Sequence, residues 1–219
     1  MDYNFITEYI PMYITAAGLT LRIALLGIVL SMVIGLICSL IQYYKIPAIK
    51  RIVSGYIELS RNTPLLVQLF FLYFGLPKLG IMISSEGCAI LGLSFLGGSY
   101  MAEAFRSGLE TVEKSQVEQG LSIGLNHKQI IWYIVLPQAI SVSVPAFCAN
   151  MIFLIKETSV FSVVALADLM YVAKDLIGLY YKTDEALLML VISYLVILLP
   201  LSMIASLLER RLRYAGFGY

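Results

Sequence analysis

Charge is scarce in this sequence. Of its 219 residues, only 13% are Asp, Glu, Lys or Arg and 60% are hydrophobic, which excludes an ordinary soluble domain and predicts an integral membrane protein. The formal net charge is +1, so there is no basic excess to attract nucleic acid and no acidic excess to solvate a disordered tail.

Residues that commonly carry catalytic chemistry are also few. The three cysteines, Cys38, Cys88 and Cys148, fit no metal-ligand or redox spacing, so we expect them to be small buried hydrophobic residues. The single histidine, His127, has no partner at the spacing of a catalytic triad or a metal site. No phosphate-binding loop of the form G-x-x-x-x-G-K-[ST] occurs. We therefore expect neither an enzyme nor a cofactor, and the N-terminus lacks the basic region of a cleaved signal peptide.

Long stretches without charge are abundant, and a helix needs about 20 apolar residues to cross a bilayer. Five stretches predict an all-α membrane protein with five spanning helices: residues 23–41, 62–77, 87–102, 129–155 and 186–208. The second and third are short and should borrow flanking residues. Pro137 predicts a bend before the fourth span begins, and residues 158–167 are too short to span, which favours a re-entrant or broken helix.

The basic residues indicate how the helices are oriented, because Lys and Arg near span ends are retained in the cytoplasm. Ten of the fifteen follow the first, third and fifth spans: Lys45, Lys50, Arg51, Arg61, Arg106, Lys114, Lys128, Arg210, Arg211 and Arg213. We therefore predict an extracytoplasmic N-terminus and a cytoplasmic C-terminus. Arg22, at the outer start of the first span, is expected to reach the headgroups.

The most polar stretch, residues 110–129, lies between the third and fourth spans. Ser115 and Glu118 have the spacing of a capping box, which predicts the start of a short helix. Gly120 and Gly124 recur four residues apart, which favours a face that packs closely against a partner. An apolar stripe is predicted beside them: Val117, Leu121, Leu125 and Ile130. Composition alone also allows an interfacial amphipathic helix or a plain connector.

The register of this stretch resembles a known motif. Glu118, Gly124, Ile134 and the pair Leu136–Pro137 match the EAA motif of ATP-binding cassette importer permeases, although Gln119 and Gly120 replace its two alanines. Residues 58–77, 99–112 and 150–164 also resemble the corresponding blocks of polar amino acid permeases, of the histidine and glutamine type.

This resemblance implies a single permease domain over residues 1–219, with the type I importer fold, in a bacterial cytoplasmic membrane. It implies that the helix in residues 113–130 is a coupling helix that docks on an ATPase subunit. The implied docking residues are Glu118, Gly120, Leu121, Gly124 and Leu125. The implied partners are two ATPase subunits, a second permease subunit of the same or a related chain, and an extracytoplasmic solute-binding protein.

Polar residues at membrane depth usually face a cavity or a partner, so they are the candidates for a route. One cluster follows the fourth span: Asn150, Lys156, Glu157, Thr158, Ser159 and Asp168. It suits an amino acid zwitterion, with Lys156 meeting the carboxylate and Glu157 or Asp168 the ammonium. The alternative is an ordinary Lys156–Glu157 ion pair at the headgroups, and Glu103 and Arg106 are expected to pair similarly.

A different class of function also fits a chain of this kind. An ion-gradient-driven secondary transporter or a channel subunit would share the apolar spans, although five spans lack the inverted repeat common in such transporters.

Overall fold

The described part of the chain is built from helices. The computed structural model describes residues 1–44 and 47–216, with side chains as far as Arg211. The α-helices are α1 (Tyr3–Tyr43), α2 (Ile49–Arg61), α3 (Leu65–Phe70), α4 (Ser85–Glu110), α5 (Lys114–Ser122), α6 (His127–Ile130), α7 (Leu136–Glu157), α8 (Leu169–Tyr180) and α9 (Thr183–Gly216). Two π-helical turns, Phe71–Gly75 and Ile131–Val135, and two 3-10 turns, Leu76–Leu79 and Thr158–Val164, join some of them.

Five apolar helical segments provide the predicted crossings. Four are long and apolar enough to span a bilayer, namely Tyr3–Tyr43, Ser85–Glu110, His127–Val164 and Thr183–Arg211. The fifth, Leu65–Leu79, is shorter. The all-α membrane fold predicted from charge-free stretches is therefore confirmed.

The second crossing has α2 beside it. The hydroxyl groups of Tyr56 and Ser60, both on α2, donate to the carbonyl oxygen of Phe95 in the middle of α4, at 2.7 and 2.9 Å. Because α2 packs against the centre of α4, it supplies flanking residues of the kind that the short stretch 62–77 was predicted to borrow. Arg61, which was counted as a flanking charge, consequently lies against the bundle.

A seam of small residues brings α1 and α4 together. Gly27, Ser31 and Gly35 recur every four residues on α1, and a Cβ atom added to Gly35 would lie only 2.5 Å from the Cβ of Met101. Helices in a membrane gain little from hydrophobic burial against each other, so close backbone approach at small residues is a principal source of their packing. The seam fixes the first and third crossings as parallel neighbours.

The fourth crossing is distorted at both ends. Pro137 lies in the first turn of α7, directly after the π-helical turn Ile131–Val135, so the expected bend takes the form of a π-helical insertion. At the other end, the 3-10 turn Thr158–Val164 stops at Ala165, whose φ of 55° is left-handed. This turn is the broken-helix piece predicted for residues 158–167.

Ionic contacts mark the end of the bundle where α1 begins, called here the N-terminal side. Lys182 Nζ lies 3.1 Å from a carboxylate oxygen of Asp2, and the Asp2 N–H donates to Glu185 at 2.8 Å. Arg22, expected at the headgroups, lies further along α1 and pairs with Glu86 at the start of α4 at 2.6 Å. The opposite end, called the α5 side, holds α5 and most of the basic residues used to predict orientation; of those, Lys45 and the Arg213 side chain lie outside the described residues.

The three cysteines are buried and free, as predicted.

Candidate functional site

The polar segment on the α5 side forms a short helix, but its cap differs from the prediction. α5 begins at Lys114 with Glu113 as N-cap, so Ser115 already lies in the first turn, and its hydroxyl donates to the Glu113 carboxylate at 2.9 Å. The predicted Ser115–Glu118 capping box is therefore wrong. A capping box does form one helix later, where Asn126 and Gln129 exchange hydrogen bonds of 2.9 and 3.0 Å at the start of α6.

Gly120 and Gly124 have different structural roles in this segment. Gly120 is buried, and a Cβ atom there would lie 3.0 Å from Ile134 Cδ1 of the π-helical turn. Gly124 has a φ of 88° and lies beyond the end of α5, where the Leu125 N–H donates to the Gly120 carbonyl at 3.0 Å. The prediction that both glycines share one helix face is therefore wrong, because Gly124 terminates the helix.

The residues of the predicted apolar stripe do not all face the same way. Ile130 is buried, and Val117 and Leu125 are half-buried. Leu121 points outward with 42% of its surface exposed, and Ile123, which the sequence interpretation missed, is 78% exposed. The exposed Glu118 lies on the same short helix. Leu121 and Ile123 are therefore the exposed apolar side chains of this polar segment.

α5 is attached firmly to the fourth crossing. Gln138 Nε2 of α7 donates to Gln116 Oε1 of α5 at 2.8 Å, and Gly120 packs on the π-helical turn that precedes α7. α5 is therefore in direct contact with the start of α7 and with the turn before it.

A polar cavity of about 490 Å³ lies between the first three crossings. Its lining residues come from α1, α2, α4 and the link after α2: Gln42, Ser54, Ile57, Glu58, Arg61, Asn62, Tyr100 and Glu103. None of these was singled out as a route residue from the sequence. The sequence feature that could have indicated these residues is the polar run that precedes Pro64 in an otherwise apolar crossing.

The charged groups of the cavity are arranged around Arg61. Its guanidinium lies 3.8 Å from a Glu103 carboxylate oxygen and 5.3 Å from the ring centre of Tyr100, within cation–π range. Glu103 also accepts from Arg106 at 2.7 Å, so the predicted Glu103–Arg106 pair is confirmed, and Arg106 contacts Glu110 at the same distance. The cavity therefore offers both a cation and carboxylates.

The six predicted route residues are distributed along the fourth crossing and beyond it, and none of them lines the polar cavity. Asn150 comes nearest, because its side-chain amide donates to the Tyr100 carbonyl at 3.2 Å. Lys156 is exposed, and Glu157 and Ser159 are half-buried. Among the described residues, Lys156 and Glu157 form no ion pair with each other.

Thr158 and Asp168 are completely buried. The Thr158 hydroxyl donates to the Ile155 carbonyl at 2.7 Å. One Asp168 carboxylate oxygen accepts from the Tyr171 N–H at 2.8 Å as the N-cap of α8, while the other has no hydrogen-bond partner. Burial raises the pKa of the Asp168 carboxyl to about 6.

Comparison with known proteins shows the family. Residues 27–214 match the family model described as "Binding-protein-dependent transport system inner membrane component". The chain belongs to this family. Its relatives include the probable amino-acid ABC transporter permease protein PatM of Vibrio harveyi, 31% identical over 98% of this chain and 97% of PatM. The glutamine transport system permease protein GlnP of Escherichia coli K12 is 32% identical, over 97% of this chain and 98% of GlnP.

A solved structure of the family shows the same architecture. It is described as an amino acid ABC transporter with histidines, and it superposes with a TM-score of 0.89 at 33% identity, covering 96% of this chain and 99% of the solved chain. The protein is therefore a multi-pass membrane protein of the amino acid ABC transporter permease family, with the type I fold.

Proposed function

We propose that this chain is the membrane-spanning subunit of an importer for polar amino acids, powered by ATP hydrolysis in two partner ATPase subunits. Amino acid transport follows from the family and from relatives that are named amino-acid and glutamine permeases. The sequence has no phosphate-binding loop of its own, so an active transporter of this design needs a partner that binds nucleotide.

The exposed surface of α5 carries the proposal of ATPase docking. Leu121 on α5 and Ile123 directly after it present apolar surface, Glu118 on the same helix is exposed, and the helix is joined to α7 through Gln116. Such a helix has an apolar patch to bind a partner and a rigid attachment to transmit its movement. Gly120 and Leu125 support this surface from behind, and Gly124 turns the chain away from it.

The proposed orientation follows from charge. Lys50, Arg51, Lys128, Arg210 and Arg211 all lie on the α5 side, which makes this the cytoplasmic side by the positive-inside rule. The N-terminal side would then face a solute-binding protein, and α5 would face the ATPase. A second permease subunit, of this chain or a related one, would complete the transporter.

The proposed route passes through the polar cavity. Arg61 suits the carboxylate of an amino acid, and Glu58 or Glu103 suits its ammonium group. Asn150 fixes the Tyr100 backbone at the cavity wall. We retain Lys156, Glu157 and Ser159 as candidates nearer the N-terminal side, with Thr158 and Asp168 as their buried support.

Replacing Ile123 with Asp tests the docking surface. An unpaired carboxylate buried at an interface is costly, so we expect the variant to bind the ATPase at least about tenfold more weakly and to lose ATP-dependent uptake in vesicles. Ile123→Leu, which keeps the apolar surface, is the matched control and should behave like the wild type. Equal ATPase binding by the Asp and wild-type proteins, or uptake that follows an ion gradient and ignores ATP, would refute the proposal.

Side-specific labelling tests the orientation. Ser122 is exposed at the end of α5, so a cysteine there should react with a membrane-impermeant maleimide only after the cells are permeabilised. Labelling of intact cells at Ser122→Cys would place α5 outside and exclude ATPase docking.

A further inference from the structure

The second crossing is interrupted beside the polar cavity. α2 ends at Arg61 and α3 begins at Leu65, and Pro64 between them has no N–H to continue the helical ladder. Carbonyl groups at the end of α2 therefore need other donors, because an unpaired backbone group is expensive at membrane depth. Arg61 and Asn62, the residues at this break, line the cavity.

Backbone N–H groups of Asn62 and Thr63 supply some of those donors, and three side chains add to them. The Asn62 amide donates to the Glu58 carbonyl at 2.8 Å, and the Thr63 hydroxyl donates to the Leu59 carbonyl at 2.8 Å. Both bonds are local to the end of α2. Gln68 is different, because it belongs to α3 and reaches back across the break.

Gln68 makes two bonds across this break. Its Nε2 donates to the carbonyl of Thr63 at 2.9 Å and to the carbonyl of Ser60 at 3.2 Å. Its Oε1 is buried without a hydrogen-bond partner. A buried orphan oxygen is unfavourable, so this side chain is not explained by packing alone.

The helix that carries Gln68 is itself fixed. Leu65 and Leu69, the neighbours of Gln68 on α3, are almost fully buried, and Leu69 packs so closely on α4 that a Cβ atom at Gly92 would lie 2.8 Å from its Cδ2. α3 is thus a rigid support on one side of the break. Gln68 connects that support to the turn that presents Arg61.

We propose that Gln68 is a positioning residue for transport, which holds the end of α2 so that Arg61 and Asn62 face the cavity in a binding geometry. The inference rests on the proposed role of the cavity as the substrate route. Gln68 acts through Arg61 and does not itself contact the transported amino acid.

Gln68→Met tests this, because it keeps the length of the side chain and removes its donors. In the purified permease–ATPase assembly, we expect the Kd for radiolabelled L-glutamine, L-histidine or L-arginine, whichever the wild type binds, to rise about tenfold, because Arg61 would no longer be held in the binding geometry. The maximal rate of ATP hydrolysis should stay within about twofold. Gln68→Glu is isosteric but has no donor when ionised, so it should show the same rise in Kd. If the Met variant does not assemble, the Glu variant tests the role of Gln68.

Two further variants separate the possible failures. Thr63→Val removes a bond on the α2 side only, so its Kd should stay within about twofold of the wild type. Arg61→Gln should raise the Kd, and adding Gln68→Met to it should cause little further loss, because both changes act through one group. If Arg61→Gln leaves the Kd unchanged, the cavity is not the route. If Arg61→Gln weakens binding but neither Gln68 variant does, or if the Gln68 effects add fully to it, only the role of Gln68 is refuted.

Discussion

Asp168 should make the stability of the protein depend on pH. Its carboxyl is fully buried, and burial raises its pKa from the ordinary value of 3.8 to about 6. The folded state therefore holds a proton between these values that the unfolded state releases. The stabilisation from this proton is fully present below pH 3.8 and is lost as the pH rises through about 6.

The size of this pH dependence follows from the same two pKa values. At about 1.4 kcal/mol per pH unit, the difference corresponds to about 3 kcal/mol, of which about 2 kcal/mol falls between pH 4.5 and pH 8. Asp168→Asn keeps an oxygen that can accept from the Tyr171 N–H, because Asn is as good an N-cap as Asp. It cannot ionise, so we expect that part of the pH dependence to disappear. Any cost of an unpaired amide would be the same at every pH.

The free energy of unfolding in mixed micelles, measured from pH 4.5 to 8 for both proteins, checks this prediction. Asp184→Asn is the matched control for the loss of charge itself, because it removes the same charge from an exposed position in the first turn of α9. If the free energy of unfolding of Asp168→Asn changed with pH as steeply as that of the wild type, this carboxyl would not titrate as its burial requires.

Substitutions at two glycines test the α1–α4 packing and the turn after α5. Gly35→Ala should lower the midpoint of thermal unfolding by an amount corresponding to about 1–3 kcal/mol, because its Cβ would overlap Met101 of α4; Gly18→Ala, with nothing within 4 Å, should not. An equal effect of the two would contradict the close α1–α4 seam. Gly124→Ala should cost about 1 kcal/mol through its φ of 88° although nothing crowds it, and should weaken ATP-coupled uptake; unchanged stability would show that the turn relaxes freely.

The crossings were predictable because a chain segment that crosses a bilayer must be a long apolar helix. A charge-free stretch such as residues 186–208 has few alternatives to a spanning helix, and α9 covers it completely. The second crossing was harder to delimit because Arg61 interrupts its apolar stretch. Sequence alone does not show that Arg61, although partly exposed, contacts Tyr100 and Glu103 of α4.

The prediction for α5 failed because the helix starts two residues earlier than its predicted cap implies. Because the helix starts at Lys114, Ser115 cannot be its N-cap, and the left-handed turn at Gly124 separates this residue from Gly120. Spacing alone does not reveal where a helix ends. The polar cavity was missed for a related reason, since it joins α1, α2 and α4 and no periodicity within one helix can show their meeting.

The proposed docking surface and the cavity are connected by continuous contacts along the fourth crossing. α5 is held to α7 by the Gln116–Gln138 bond; further along α7, the Ser143 hydroxyl donates to the Ala104 carbonyl at 3.1 Å and Asn150 to the Tyr100 carbonyl. These last two bonds attach α7 to the α4 backbone at the level of the cavity. In the proposed coupling, a displacement of α5 reaches these attachments through α7, first at Ser143 and then, beyond Pro145, at Asn150. Because Tyr100 lies beside Arg61, that proposed path ends at the groups that suit an amino acid.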